Sequence, residues 1–460
     1  MTTASPTIAA RLDRLPRSKH IRHLIILISL GGCFELYDLF FGAYIAAGLF
    51  AGKLFTPTTQ MFFGFEGFAS FIAAQFAGMF IGTILVSHLS DRFGRRAMFT
   101  YSLLWYSAAT LVMAFQNDAF GVNLWRFIAS IGIGVELVTI DAYVSELVPR
   151  DHRGRAFAFN QTLQFITVPV VAFISYLLVP TNVFGWEGWR WVVVIGSVGA
   201  IFIWFIRLGL PESPRWLAQR GRRAEADVVM QKMEAEVRAE TGRELPPPRV
   251  VSGEVEDAKG SWSEIWHGVY RGRTIMMTAY NLLQTIGYYG FSSWVPTLLI
   301  AKHIDVTKSL QYTFIMALAA PVGPLIGYFV ADRIERKWQV AVSALAIAVF
   351  GLLFAQQTGP VPIILFGILI TLANNWLSFS FHAYQAELYP TRIRAQAVGF
   401  VYSWSRFSVI FTSFIIAWVL HKYDVIGVFV FIAAAMVGVF LIVGIWGPKT
   451  NGMRLEEIAR

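Results

Sequence analysis

The sequence predicts an all-α membrane protein with twelve transmembrane helices in two six-helix bundles related by pseudo-two-fold symmetry. Hydrophobic residues make up 56% of the 460 residues and charged residues only 15%, well below the roughly 25% charged content of a soluble domain. Eight residues of the first half also recur 241 positions later. A constant offset across separated motifs indicates duplication of the whole intervening unit.

The repeat and the hydrophobic pattern together set the domain boundaries. The repeated residues are Asp91, Arg92, Arg95, Tyr143, Glu146, Leu147, Pro149 and Arg153, matched by Asp332, Arg333, Arg336, Tyr384, Glu387, Leu388, Pro390 and Arg394. Apolar stretches of about 20 residues, enough to cross roughly 30 Å of hydrocarbon, lie at 24–49, 67–89, 97–116, 121–145, 156–180, 189–210, 274–300, 310–331, 338–356, 361–386, 396–420 and 425–447. The predicted bundles are therefore 24–210 and 274–447, with a linker at 211–273 and tails at 1–23 and 448–460.

The distribution of Lys and Arg predicts the orientation. With both termini placed in the cytoplasm, 31 of the 38 Lys and Arg residues fall in inner segments and five in outer loops, a strong positive-inside signal. The net charge of +9 then reflects topology and anionic lipid, and a nucleic-acid partner is not expected. We expect a multi-pass protein of the plasma membrane, in bacteria the inner membrane. The single cysteine, Cys33, excludes intrachain disulfides.

The linker is the only sizeable soluble segment that the sequence predicts. Val229, Met233 and Val237 have helical spacing, and three prolines from Pro246 onward stop a helix. We expect a short amphipathic helix there and a second helix beginning near Ser261, with its tryptophans at headgroup level. Two roles remain open, a passive connector and a regulatory element.

Several motifs resemble the major facilitator superfamily and, within it, the sugar-porter-like branch. They are DRFGRR at 91–96, PESPRWL at 211–217, YVSELVPRDHRGR at 143–155, and Arg126, Gly132, Gly134, Asn160 and Gln161. The resemblance covers essentially the whole chain. Its motifs are specific for the superfamily but carry little information about the substrate. One position departs, because Ser87 stands where the family usually has glycine.

The resemblance implies two bundles around a central cavity, with substrate bound near the midplane and alternating access by rocking of the bundles. It also gives the repeated charges a role. Opposite charges at inner helix ends could hold the inner side closed, or they could only enforce topology; Asp and Glu contribute little to topology, which favours gating. The predicted gating residues are Asp91, Arg95, Glu146, Arg153, Asp332, Arg336, Glu387 and Arg394.

Ionisable residues within the predicted spans are few, and each costs about 2.5–3.5 kcal/mol at a helix centre. Glu35 and Asp38 are three residues apart and share a helix face, an arrangement that favours proton binding. Asp38 follows Tyr37 in a setting similar to that of proton-coupled sugar porters, where an arginine corresponding to Arg126 tunes the aspartate. A static buried ion pair is the alternative. The proton-coupling candidates are Asp38, Glu35, Arg126, Glu136 and Asp141.

Arg406 indicates an anionic substrate. It lies 12 residues after Arg394, where sugar porters carry a cavity-lining side chain, and its guanidinium matches a carboxylate. The sugar-specific residues of the seventh and tenth spans are missing. Aromatic and amide side chains replace them, although about half of these aromatics are expected to serve packing, and His382 fits either packing or binding. The substrate-binding candidates are Arg406, Tyr37, Gln161, Gln164, Gln284, Tyr288, Asn374, Trp376, His382 and Tyr402.

These features predict a proton-coupled symporter, acting as a monomer, that imports a small organic anion. The leading substrate class is aromatic or heteroaromatic monocarboxylates, because the chain resembles aromatic-acid and organic-anion carriers. A sugar or polyol symporter, an organic cation or drug exporter, and a transporter-like nutrient sensor are the alternatives. No nucleotide-binding loop, metal-ligand spacing or nucleophile with a base is found. We therefore expect neither an enzyme nor a cofactor.

The two halves differ at functional positions. Arg126 falls opposite Gly367, Asp141 opposite His382, and Arg406 opposite Phe165. We therefore expect the N-terminal half to bind the coupling protons and the C-terminal half to bind the anion.

Overall fold

The structure is a computed structural model that describes residues 7–59, 61, 63–86, 92–149, 152–207, 209–248, 261–330 and 334–450. Its elements are almost all helical. Each of the twelve predicted spans coincides with helix in the described residues. Among these residues, seven helices are long and apolar enough to cross a membrane. The all-α class predicted from the sequence is confirmed.

The N-terminal half begins with a short helix in the tail, and its fifth span is divided in two. A π-helical turn at Gly82–Val86 extends the second span, and a small hairpin of β1 (Asn182–Val183) and β2 (Trp186–Glu187) precedes the sixth. The helices are α1 (Ile8–Asp13), α2 (Lys19–Ala51), α3 (Phe68–Ile81), α4 (Arg95–Met113), α5 (Ala119–Leu147), α6 (Arg153–Phe165), α7 (Thr167–Leu178) and α8 (Gly188–Arg207).

In the described residues, the linker contains two helices and the C-terminal half contains seven. A 3₁₀ turn at Trp262–Trp266, shorter than the helix expected there, leads into the seventh span. The last helix is divided at Asp424, whose φ of 54° is not helical, so its two arms provide the last two spans. The helices are α9 (Pro214–Gln219), α10 (Arg223–Thr241), α11 (Gly268–Ser292), α12 (Val295–Ala301), α13 (Val306–Ala317), α14 (Val322–Val330), α15 (Arg336–Gln356), α16 (Pro360–Glu387) and α17 (Thr391–Trp446).

The sequence repeat appears as repeated side-chain contacts. The Tyr143 hydroxyl donates to the carbonyl of Pro211 after the sixth span. Its counterpart Tyr384 donates to the carbonyl of Pro448 after the twelfth, at 2.9 Å. In each half, therefore, a tyrosine of the fourth span forms a hydrogen bond with the chain that follows the sixth span. We call this end of the molecule, where the linker also lies, the linker side.

The tail and linker pack together on the linker side. Arg11 forms ion pairs with Asp227 at 2.6 Å and with Glu234 at 2.9 Å, and Arg14 contacts Glu234 at 2.8 Å. Burial raises the pKa of Glu234, but hydrogen bonds from Arg11 and Arg14 outweigh it and hold this pKa below its ordinary value. The carboxylate is therefore ionised at neutral pH, and α10 holds α1 in place.

The linker also caps a membrane helix. Glu212, in the PESPRWL segment, accepts hydrogen bonds from the backbone N–H groups of Arg95 at 3.0 Å and Arg96 at 3.2 Å. A carboxylate at a helix N-terminus satisfies free donors and complements the helix dipole. Gly94 precedes this cap with φ 101° and ψ 159°, a backbone region essentially restricted to glycine. A Cβ there would lie 2.5 Å from Glu212 Oε2.

Replacing Gly94 with alanine should destabilise the N-terminal half. The backbone strain alone costs about 1–3 kcal/mol, and the new methyl displaces the capping carboxylate. We expect Gly94→Ala to lower the apparent melting temperature of the purified protein by a few degrees. Gly444→Ala is the matched control, since no atom lies within 4 Å of its added Cβ, and it should be neutral or slightly stabilising. Equal melting temperatures for the two variants would contradict this account of the cap.

Candidate functional site: a cavity between the two halves

A cavity of about 570 Å³ lies between the two halves, with walls from α2, α5 and α6 on one side and α11, α16 and α17 on the other. It extends from Glu35 and Arg406, deep in the spans, to Ser145 and Arg394 at the linker-side helix ends. Pockets of this size hold small organic ligands.

Aromatic contacts between the halves close the opposite side. Phe63 lies 5.2 Å from Phe414 and Phe68 lies 5.5 Å from Trp294, measured between ring centroids. Deeper in the protein, Phe76 of α3 meets Tyr289 of α11 at 4.5 Å. These rings separate the cavity from the far surface, so the cavity faces the linker side.

Arg406 lies in the cavity wall with 3% of its surface exposed. Its two terminal nitrogens donate to the hydroxyls of Tyr289 at 2.9 Å and Tyr402 at 2.8 Å, and its guanidinium lies 4.7 Å from the Tyr402 ring. In the part of the chain that the structure describes, no carboxylate pairs with Arg406. Because a buried charge is costly without a counter-charge, the site is suited to an anionic ligand.

Amide and aromatic side chains surround this arginine. Gln161 and Gln164 of α6 face Gln284 and Tyr288 of α11 across the cavity. The Gln164 amide donates to Asn160 Oδ1 at 3.2 Å. The wall therefore combines flat apolar surface with hydrogen-bonding groups that fix the orientation of a small ligand.

Two further candidates lie on opposite walls. The His382 ring nitrogen Nδ1 lies 2.6 Å from the carbonyl of Ser378, and its ring centroid lies 4.6 Å from that of Phe381. His382 also lines the cavity. Asp141, its counterpart in the repeat, is exposed in the cavity.

Asp38 lies behind the cavity wall in a hydrogen-bonded cluster with Arg126 and Thr110. Its carboxylate accepts hydrogen bonds from Arg126 and, at 2.8 Å, from the Thr110 hydroxyl, and Arg126 also donates to the Asp38 carbonyl at 2.6 Å. Phe41 stacks on the guanidinium at 4.6 Å. Sequence reasoning missed Thr110 because no motif marks it.

The other predicted carboxylates take two different positions. Glu35, one turn before Asp38 on α2, lines the cavity although it is almost fully buried. Glu136 of α5 is fully buried and does not line the cavity. Glu35 at the cavity surface and Asp38, the acidic partner of the ion pair behind it, therefore lie on consecutive turns of α2.

Three predicted binding residues lie away from this cavity. The Tyr37 hydroxyl donates to the carbonyl of Val192 at 2.8 Å and so joins α2 to α8. The Trp376 indole N–H donates to Gln339 Oε1 of α15 at 3.3 Å. Asn374 lines a smaller chamber nearer the far side. Phe40, Phe165 and Tyr288 line both spaces, and these rings separate the two.

The predicted gating charges pair within each half. Arg95 and Glu146 join α4 to α5 at 3.1 Å, and their counterparts Arg336 and Glu387 join α15 to α16 at 3.1 Å. Arg394 lines the cavity mouth and donates to the Tyr389 carbonyl at 3.2 Å. Asp91, Asp332 and the side chain of Arg153 lie outside the described part of the structure.

Two six-helix halves around a cavity that opens to one side define a membrane transporter of the major facilitator superfamily. Residues 24–460 match the family model described as "Sugar (and other) transporter", and the chain belongs to this family. It is a multi-pass membrane protein that transports a small molecule, and it is not an enzyme.

Relatives cover nearly the whole chain. The chain is 33% identical to the putative metabolite transport protein YyaJ of Bacillus subtilis, over 97% of this chain and 96% of that one. It is 28% identical to the niacin transporter NiaP of Acinetobacter baylyi, over 98% of this chain and 99% of that one. The fold matches the xylose transporter XylE from E. coli in a partially occluded inward-open conformation, with a TM-score of 0.74, 19% identity and coverage of 95% and 100% of the two chains.

Accessibility of the cavity can be measured with one introduced cysteine. Gly399 lines the cavity, is exposed, and has no atom within 4 Å of an added Cβ. In a Cys33→Ser background, we expect Gly399→Cys to react with a membrane-impermeant maleimide only from the cytoplasmic side, as the positive-inside pattern predicts. Exposed Lys308, replaced by cysteine, should react only from outside. The reverse labelling pattern would contradict the predicted orientation.

Proposed function

We propose that this transporter imports a small organic anion together with protons, with aromatic or heteroaromatic monocarboxylates as the leading substrate class. The single observation that carries the proposal is Arg406, whose buried charge faces the cavity and lacks a carboxylate partner among the described residues. Its two phenol hydrogen bonds orient the guanidinium without neutralising it. A substrate carboxylate supplies the missing charge through charge-assisted hydrogen bonds.

The rest of the cavity favours a flat substrate. Tyr288, Tyr289, Phe381 and Tyr402 contribute aromatic surface to the wall, and rings pack on such surfaces in stacked or edge-on arrangements. Among the relatives, NiaP is a niacin transporter, and niacin is a heteroaromatic carboxylic acid. Both observations support an aromatic acid as substrate.

Proton coupling is assigned to the carboxylates of the N-terminal half. Asp38 holds Arg126 in the structure, and Glu35 contacts the cavity on the same helix. We propose that protonation of Asp38 releases Arg126 and that Glu35 and Asp141 pass protons between this cluster and the cavity. XylE, a structural neighbour, is described as a proton:xylose symporter. One proton per carboxylate would make transport electroneutral.

We propose that the repeated charges at the linker-side helix ends gate the cavity. When the halves rock to close the linker side, the helix ends that carry Glu146, Glu387 and Arg394 approach one another. Asp91, Arg153 and Asp332 belong to the same motifs and extend this proposal to inter-half pairs in the closed state. We further propose that the protein works as a monomer in the bacterial inner membrane with both termini in the cytoplasm.

A sugar or polyol symporter is the second candidate. Gln161, Gln164 and Gln284 line the cavity, and amides are suited to hydroxyl groups because they both donate and accept. The fold match to a xylose transporter is compatible with this reading. It leaves the charge of Arg406 without a function, so it ranks below the anion.

Removing Arg406 tests the substrate class. We expect benzoate and nicotinate to raise the melting temperature of the purified protein, and Arg406→Ala to weaken their binding about 30-fold or more through loss of roughly 2 kcal/mol of charge-assisted hydrogen bonding. Arg406→Lys should retain part of the effect. Arg190→Ala, which removes an arginine held by Glu187 at 2.9 Å, should respond to carboxylates as wild type does. Stabilisation by sugars alone, or by carboxylates in Arg406→Ala, would refute the anion proposal.

Neutralising Asp38 tests the coupling. Asp38→Asn cannot release and rebind a proton, so uptake driven by a pH gradient into vesicles should fall to the background rate. Exchange of labelled for unlabelled substrate at equal pH needs no net proton movement and should persist. Asp118→Asn is the control, because this exposed carboxylate caps α5 and asparagine caps equally well. Undiminished pH-driven uptake by Asp38→Asn would contradict the coupling proposal and show that the ion pair of Asp38 and Arg126 is purely structural.

A further inference from the structure

A second large cavity lies apart from the transport site. It is a groove of about 710 Å³ on the linker side, where the start of α2 and the start of α6 meet α14 of the other half. None of the residues that line it lines the central cavity. The transport proposal therefore leaves it without a role.

One end of this groove is strongly basic. Arg17, Lys19, Arg22 and Arg155 line it and are all exposed. Within the described ranges, none of these four side chains forms an ion pair. The lining also contains the carboxylate of Glu240, which accepts hydrogen bonds from the backbone N–H groups of Lys19 at 2.6 Å and His20 at 3.0 Å. The groove therefore keeps a surplus of positive charge.

The other end of the groove is apolar and faces outward. Phe159 of α6 is 43% exposed and Leu325 of α14 is 48% exposed, at helix positions that continue into the membrane spans. Ile25 forms a buried part of the lining. Charge at the helix ends and apolar surface along the spans match the two parts of a phospholipid.

We propose that this groove binds an anionic phospholipid, with the headgroup phosphate against Arg22 and Arg155 and an acyl chain along Phe159 and Leu325. Juxtamembrane basic residues attract anionic headgroups, and lipid-facing apolar side chains favour a chain over a free anion. Because α2 and α6 belong to one half and α14 to the other, the bound lipid contacts both halves at their junction. It thereby stabilises the arrangement in which the central cavity faces the linker side.

Native mass spectrometry of the full chain in neutral detergent tests this site. Dioleoylphosphatidylglycerol should bind at least about tenfold more tightly than dioleoylphosphatidylcholine, which has the same acyl chains. Arg22→Gln/Arg155→Gln should remove that preference without changing phosphatidylcholine binding. Arg22→Lys/Arg155→Lys keeps the charges and should retain most of it.

Matched controls separate the groove from diffuse attraction. Arg223→Gln/Arg271→Gln removes two exposed charges outside the groove and should leave the lipid preference within twofold. Equal loss in both glutamine pairs would show diffuse charge attraction and overturn the proposal. Competition by glycerol 3-phosphate at the concentrations where the lipid binds would also overturn it, because it would show a site for a soluble phosphate. The melting temperature in phosphatidylcholine identifies any variant that has lost its fold.

Discussion

One buried positive charge organises the central cavity. Arg406 is almost fully buried, and hydrogen bonds to Tyr289 and Tyr402 hold its guanidinium at the cavity surface. Tyr289 in turn packs on Phe76 of the other half. The residue that would bind substrate is thus one contact away from the rings that close the far side. A carboxylate that draws Arg406 away from Tyr289 would loosen that closure, which gives a physical link between binding and rocking.

The two halves share a scaffold but place charge differently. Arg126 is neutralised within its own half by Asp38, and at the matching position of the repeat Gly367 leaves room for Met316, whose sulfur would lie 2.3 Å from an added Cβ. Opposite Arg406 stands Phe165, which lines the cavity as an apolar wall. The two halves therefore share a frame but differ in charge at equivalent positions. The N-terminal half holds an arginine paired with an aspartate, and the C-terminal half holds an arginine bonded to two phenols.

The sequence predicted the spans well because hydrocarbon thickness sets their length, and it predicted the frame because the repeat preserves contacts such as Tyr143 with Pro211 and Tyr384 with Pro448. It located Arg406 and Asp38 because charge is rare in a membrane. Side-chain direction was harder to predict. Tyr37 and Trp376 lie on helices that form the site, yet both point into their own half, since helix rotation depends on packing that the sequence does not show.

If the Arg406 charge selects a carboxylate, two nearly isosteric ligands that differ in charge should bind with different affinities. Nicotinate and nicotinamide share a ring and differ in charge. Calorimetric titration of the wild type and of Arg406→Ala with both ligands isolates the interaction between guanidinium and carboxylate. We predict that nicotinate binds the wild type at least about tenfold more tightly than nicotinamide does, and that the two affinities become equal in Arg406→Ala. Equal affinities in the wild type, or a preference for nicotinate that survives the substitution, would show that the Arg406 charge does not select the carboxylate.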